Sequence, residues 1–202
     1  MTITGQGGDM EAVEERTIGY HGTSLAAVPG ILLDGLRSSS GRGEWLVSGV
    51  YLFDEPSITL GFAKSRFGGQ AAVLEVLYAS DRQLDLTRFD TARAISKFGQ
   101  AVLDELPSQR VAEMKQTSGI RELDEFLLTQ AVETTNHRSV RAYFGTNGLP
   151  MDAMIYPPDQ PYWSRDGKSS WLNLHNHVQV CVIDPSAILQ VREFDHSSLV
   201  VD

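Results

Sequence analysis

Short apolar runs bounded by turn residues recur along the chain, and each reads as a strand. They are Thr17–Tyr20, Val50–Phe53, Ala71–Tyr78, Asp152–Tyr156, Val178–Ile183 and Ile188–Phe194, all rich in Val, Ile, Leu or aromatic residues. Asp184-Pro185-Ser186 predicts a tight turn between the last two. Between the strands the apolar period lengthens to that of a helix. Ser24–Leu36 places Leu25, Val28, Ile31 and Leu32 on one side and stops at Gly35, with an irregular first turn expected at Pro29. Asp54 is placed to cap a helix that has Pro56 in its first turn and ends near Gly68-Gly69. Thr91–Leu106 repeats Ile95, Phe98, Val102 and Leu106 at helical spacing. Ser108–Lys115 and Ile120–Glu133 follow, the latter with Ile120, Leu123, Leu127 and Ala131 on one face.

Strands and helices are segregated in the second half, which predicts an α+β fold with a helical insertion over about 88–148 rather than a doubly wound sheet. Residues 1–16, with Gly5, Gly7, Gly8, Asp9, Glu11, Glu14 and Glu15, read as a flexible leader. Residues 17–202 read as a single domain, since the length of 202 residues suits one core and no linker-like stretch interrupts it.

Charge narrows the function. Seventeen Lys and Arg against 26 Asp and Glu give a net charge of −9, which argues against a protein that coats nucleic acid through a broad basic face. The apolar runs are too short to span a bilayer, and the N-terminus lacks the basic start and apolar stretch of a secretory signal. A lone cysteine, Cys181, rules out an internal disulfide framework or a multi-cysteine zinc site. A cytoplasmic protein with no membrane partner is the expectation.

The candidate chemistry begins at Tyr20-His21-Gly22-Thr23, at the end of the first strand. It continues at Gly49-Val50-Tyr51-Leu52-Phe53 in the second, with Gly30-Ile31-Leu32-Leu33-Asp34-Gly35-Leu36-Arg37 between them. Neither GxGxxG after the first strand nor GxxxxGK[ST] is present, so the common phosphate-cradling loops are absent. The ordered set HGT, GILLDGLR and GVYLFDEPSITLGFAK, followed by AAVLEVLY, resembles ADP-ribosyltransferases of the diphtheria-toxin and poly(ADP-ribose) polymerase type. The resemblance is close over about residues 17–80 and loose over 150–192. It implies a split antiparallel β-sheet that grips NAD⁺ as substrate, with no metal, through a His–Tyr–Glu triad on three strands.

On that resemblance His21 holds the adenine ribose, while Gly22 and Thr23 hold the nicotinamide amide. The physical chemistry of these residues agrees. Imidazole bonds a ribose hydroxyl, and glycine lets the backbone approach closely. Tyr51 can stack on the nicotinamide ring, a contact worth ~1 kcal/mol beyond burial. Phe62 matches the family's second ring and Thr59 a hydroxyl that contacts the carboxamide. Arg37 is placed to meet the pyrophosphate or adenine. The third triad position falls on Gln179, where the family has a Glu that bonds the reacting ribose and stabilises its developing positive charge. An amide still donates or accepts a hydrogen bond, but it offers no negative charge to a contact often worth roughly 3 kcal/mol. Glu133 is one acid that can supply that charge from elsewhere.

Other residues read more plainly. His175 and His177 share a face on a strand but lack an evident third metal ligand, so they read as a polar strand entrance. Cys181 reads as an inert core thiol and Glu75 as a structural or solvent-face acid. The insertion is neutral, with eight acidic and eight basic residues. Its cluster His137-Arg138-Ser139-Val140-Arg141, with Tyr143 and Phe144, combines charge and rings as a single-stranded nucleic-acid contact does, but reads first as a helix end carrying solvated cations. Tyr162, Trp163, Arg165 and Trp171 form a second aromatic-basic loop suited to face an acceptor or cover NAD⁺.

The expectation is a mono-ADP-ribosyltransferase acting on RNA, DNA or protein, a toxin or defence effector with a neutralising antitoxin as one possible partner. The alternatives are a catalytically inactive NAD-binding or protein-interaction module of the same fold and, less favoured because of the aromatic GVYLF slot, an RNA 2′-phosphotransferase.

Overall fold

The computed structural model describes residues 15–39, 46–117, 120–144, 177–195, 197 and 199. Seven strands among them form one sheet: β1 (Arg16–Ser24), β2 (Val50–Phe53), β3 (Ala71–Ala79), β4 (Gln83–Asp85), β5 (Ser139–Phe144), β6 (His177–Val182) and β7 (Ile188–Glu193). Their order is β4-β5-β6-β2-β1-β3-β7. All neighbours are antiparallel except β4 and β5. Five α-helices accompany the sheet: α1 (Val28–Asp34), α2 (Pro56–Phe67), α3 (Phe89–Glu105), α4 (Ser108–Thr117) and α5 (Ile120–Thr135). The coarse expectation of an α+β chain holds.

Several local expectations need correction. The His21-Gly22-Thr23 triplet lies inside β1 rather than at its end, because β1 stays paired with β3 out to Ser24–Ala71. Helix α1 begins at Val28, four residues later than Ser24, with Pro29 in its first turn where no amide donor is needed. It ends at Gly35, whose φ of 83° suits a residue without Cβ. The residue capping α2 is Glu55, not Asp54, and no side chain makes the capping bond. The stretch 88–148 is not wholly helical, because Ser139–Phe144 joins the sheet as β5. Its partner β4 is too short to stand out by apolar pattern, and the charged residues Arg138 and Arg141 disguise β5. The predicted strand Asp152–Tyr156 lies outside the described residues.

Register fixes which side chains share a face, since residues directly opposite across an antiparallel ladder point the same way. Tyr20 opposes Phe53, Phe53 opposes Gln179, and Tyr51 opposes Cys181. These five therefore lie on one face, which α2, α3 and α5 cover. There Leu46, Leu84, Leu127, Leu128, Val140 and Cys181 make one buried cluster, and Leu60, Ala63 and Val73 make another beneath α2. On the opposite face Val50, Leu52, Val76, Val180 and Val182 pack together with Leu36. Val28 of α1 meets Ala72 and Leu74 there. Helix α1 thus sits across the sheet from α2, α3 and α5.

One seam is much weaker than its neighbours. β1 and β3 share nine register pairs and β2 and β6 share four, whereas β1 and β2 meet only at Tyr20–Phe53. Beyond that pair the two central strands part, and the sheet forks at His21.

Candidate functional site

His21 stands at the mouth of the fork. Its Nδ1 lies 2.9 Å from the backbone carbonyl oxygen of Tyr51. A carbonyl only accepts, so Nδ1 carries the hydrogen, and the neutral ring presents Nε2 as an acceptor. Burial pushes the imidazole below its ordinary value of 6.5, with the Tyr51 carbonyl opposing that shift. The ring is therefore neutral at pH 7. It lines a pocket of about 320 Å³ together with Ala27, Gly30, Ile31, Asp34, Gly35, Leu36 and Arg37. That volume is at the small end of the roughly 300–1,000 Å³ typical of small-molecule sites. Arg37 is 85% exposed, and its guanidinium lies 3.5 Å from Asp34. A neutral acceptor beside an exposed cation suits a hydroxylated, anionic ligand.

The other sequence-predicted residues except Thr23 gather on the opposite face of the sheet. The Tyr51 hydroxyl accepts from the Leu46 amide and donates to the Val47 carbonyl, both at 2.9 Å. Its ring packs against the cluster of Leu127 and Val140. Gly22 faces α2, where an added Cβ would fall 3.1 Å from the Thr59 carbonyl oxygen and 3.4 Å from the Phe62 ring. Glycine is what lets β1 approach the helix. Thr59 is fully buried, and its hydroxyl donates to the Glu55 carbonyl one turn back. Phe62 packs on Phe53 with ring centres 5.3 Å apart, and Phe53 packs on His177 at 5.5 Å. Gln179 Nε2 lies 2.9 Å from His177 Nε2, and both side chains are buried. Thr23 is buried on the His21 face, by its place two residues along β1.

The structure therefore brings His21 and Arg37 into one pocket. It joins Gly22, Thr59 and Phe62 at another contact, and links Phe62 to Gln179 through Phe53 and His177. It does not bring the Tyr51 ring into the pocket that His21 lines; the two side chains point to opposite faces and meet only through the Tyr51 carbonyl. Ile31, Asp34 and Leu36, present in the Gly30–Arg37 stretch but given no role from the sequence, line that pocket. The break at Gly35 was the available signal, because it ends α1 beside the fork.

Pairing shows what several other singled-out residues do in the fold. Arg138 bonds Asp184 at 2.9 Å and the Ser186 hydroxyl at 2.9 Å. Arg141 lies 3.5 Å from Asp85 and 3.9 Å from Asp54. These cations sit on or beside β5 in ion pairs, which corrects their reading as solvated cations at a helix end. The Ser186 hydroxyl above all holds the Asp184 carboxyl below its usual range; burial opposes it, and the Ser186 amide and Arg138 add to the lowering. Glu133 is exposed and bonds Gln130 within its own helix. Glu75 pairs with Arg192 across β3 and β7, at 2.7 Å. Cys181 is buried and its thiol donates to the Val47 carbonyl at 3.2 Å. Among the described residues no cluster of three His, Cys, Asp or Glu side chains is placed to hold a metal ion. No helix among them is long and apolar enough to cross a membrane. His175 and the loop of Tyr162, Trp163, Arg165 and Trp171 lie outside the described residues. No protein-family model matches the chain, and no curated protein matches it significantly.

Proposed function

We propose that this chain binds NAD⁺ across the fork between β1 and β2 and is a cytoplasmic mono-ADP-ribosyltransferase of the split-sheet type, acting on RNA, DNA or protein. The observation that carries the reading is His21, whose neutral imidazole replaces a rung of the β1–β2 ladder and faces a pocket that Arg37 borders. His21 Nε2 accepts from a hydroxyl of the adenosine ribose, and Arg37 meets the pyrophosphate. Gly22, without a side chain, offers backbone N–H and C=O to the carboxamide, and Thr23 adds its hydroxyl. Tyr51 and Phe62 flank the nicotinamide, Thr59 stands behind them, and Gln179 meets the reacting ribose. When bound, NAD⁺ supplies the glycosidic bond that breaks as nicotinamide departs. A toxin or defence role with a neutralising antitoxin fits a small transferase of this kind and rests on the family resemblance alone.

A second reading is favoured by one specific observation. Gln179 is only 4% exposed and already bonded to His177, which suits a module that binds NAD⁺ or a partner protein without turning NAD⁺ over. Nicotinamide release by purified wild-type protein and by Gln179→Glu separates the two. Release by either version supports the transferase; folded protein that releases none in both versions leaves the binding module. Labelled NAD⁺ incubated with lysate identifies the acceptor: label that survives protease but not RNase selects RNA, label that survives protease and RNase but not DNase selects DNA, and label lost to protease selects protein.

A further inference from the structure

Gln179 does not stand alone on its face of β6. His177 lies two positions earlier and therefore points the same way, and both side chains are 4% exposed. Gln179 Nε2 and His177 Nε2 are 2.9 Å apart. A carboxamide nitrogen only donates, so the imidazole Nε2 is unprotonated and accepts. The imidazole is itself set in place by rings, since it packs on Phe53 and Phe53 packs on Phe62. Reversing the carboxamide would set its oxygen against the imidazole lone pair in a buried site, where two facing acceptors are costly, unless the ring proton moved from Nδ1 to Nε2. The orientation of the amide and the tautomer of the ring are therefore tied to each other.

We propose that His177 is a positioning residue that fixes the Gln179 carboxamide with Nε2 held and Oε1 turned away from residue 177, so that Gln179 acts as an acceptor toward a ribose hydroxyl; the last step rests on the transferase reading above. An amide fixed this way performs one part of a carboxylate's work, accepting from a hydroxyl, and omits the other, the negative charge. The unusual residue at position 179 thereby has a defined role, and a histidine at 177 with its proton on Nδ1 is what orients the amide there.

Two measurements on the full chain test this. In ¹⁵N-labelled protein near pH 7.5, a through-hydrogen-bond coupling between Gln179 Nε2 and His177 Nε2 is expected. The His177 Nε2 shift should be that of an unprotonated acceptor nitrogen. A protonated Nε2 with no coupling overturns the proposal, whatever the activity. In nicotinamide release, His177→Phe keeps a ring against Phe53 but removes the acceptor, and is expected to lower kcat about tenfold while changing KM for NAD⁺ less than twofold. His177→Gln restores an acceptor oxygen at similar reach and should recover most of that loss. Equal rates in wild type and His177→Phe, or equal loss in both variants, overturn the positioning role. If wild type releases no nicotinamide, the transferase reading falls by itself and the coupling still decides whether His177 holds the amide.

Discussion

The two faces of β2 differ in what surrounds them. On one, Tyr51 and Phe53 are locked into packed rings, a tethered hydroxyl and the clusters beneath α2, α3 and α5. On the other, beside the short helix α1, His21 borders a pocket and keeps one ring nitrogen available to a ligand. Tyr51 and His21 touch through a single backbone carbonyl, yet one packs its half-buried ring against a buried cluster and the other borders a cavity. Proximity in sequence and even in space leaves that distinction open, because strand alternation and register assign the face. Both faces carry buried clusters; what differs at β2 is that the Tyr51 side chain is tied into its cluster, while on the proposed function ligand recognition begins at His21.

Substitutions that break the packed face should cost stability first. Leu127→Ala removes a side chain 1% exposed in the cluster beneath α3 and α5, and is expected to cost about 3 kcal/mol in urea unfolding. Gly49→Ala would set a Cβ 2.5 Å from Cys181 Sγ and 2.6 Å from the Val182 carbonyl oxygen. Backbone must move to admit it, for a cost of about 2 kcal/mol by the same measurement. Tyr51→Phe loses both hydrogen bonds to residues 46 and 47 and should cost about 1.5 kcal/mol. ADP-ribose affinity measured calorimetrically should change far less than it does on truncating His21.

On the pocket face the order reverses, with small effects on stability and larger ones on binding. The His21 imidazole is pushed below 6.5 by burial, so the folded protein takes up that proton at a lower pH than the unfolded chain. Its contribution to stability is then fully present above about pH 6.5 and is lost as the pH falls below that toward the folded value. Affinity for ADP-ribose should follow the same direction, constant through neutral pH and weaker in acid, and His21→Ala should abolish this dependence. Arg37→Ala, at an exposed position, should change unfolding free energy by less than about 0.5 kcal/mol, yet weaken ADP-ribose several-fold.

Most of the elements were legible in the sequence, whereas the division between the two faces was not, for identifiable reasons. Val50–Phe53 was legible as a short apolar run between breakers, α3 and α5 as apolar residues repeating at helical spacing, and α2 through Pro56 at its start and Gly68-Gly69 at its end. β4 and β5 escaped because β4 has three residues and β5 carries Arg138 and Arg141 at and within its margin, whose partners Asp54, Asp85 and Asp184 are distant in sequence. The roles of His21, Gly22, Tyr51 and Phe62 were suggested by an ordered motif. That motif does not specify that Tyr51 and His21 face opposite ways, since a strand's face emerges only when its pairing is known. His177 was noticed as a polar residue near the candidate site; its grip on Gln179 depends on alternation along β6 and on the rings of Phe53 and Phe62, none of which spacing alone reveals.

The central claim is that the fork at His21 is where NAD⁺ enters, and amide and imidazole NMR of the labelled chain titrated with ADP-ribose tests it most directly. The account predicts saturable shifts at His21 Nε2 and along residues 30–37, lost in His21→Ala while the packed cluster around Leu127 stays unperturbed. Saturable binding that leaves His21 and residues 30–37 unchanged, or no binding at millimolar ligand by folded protein, would contradict it.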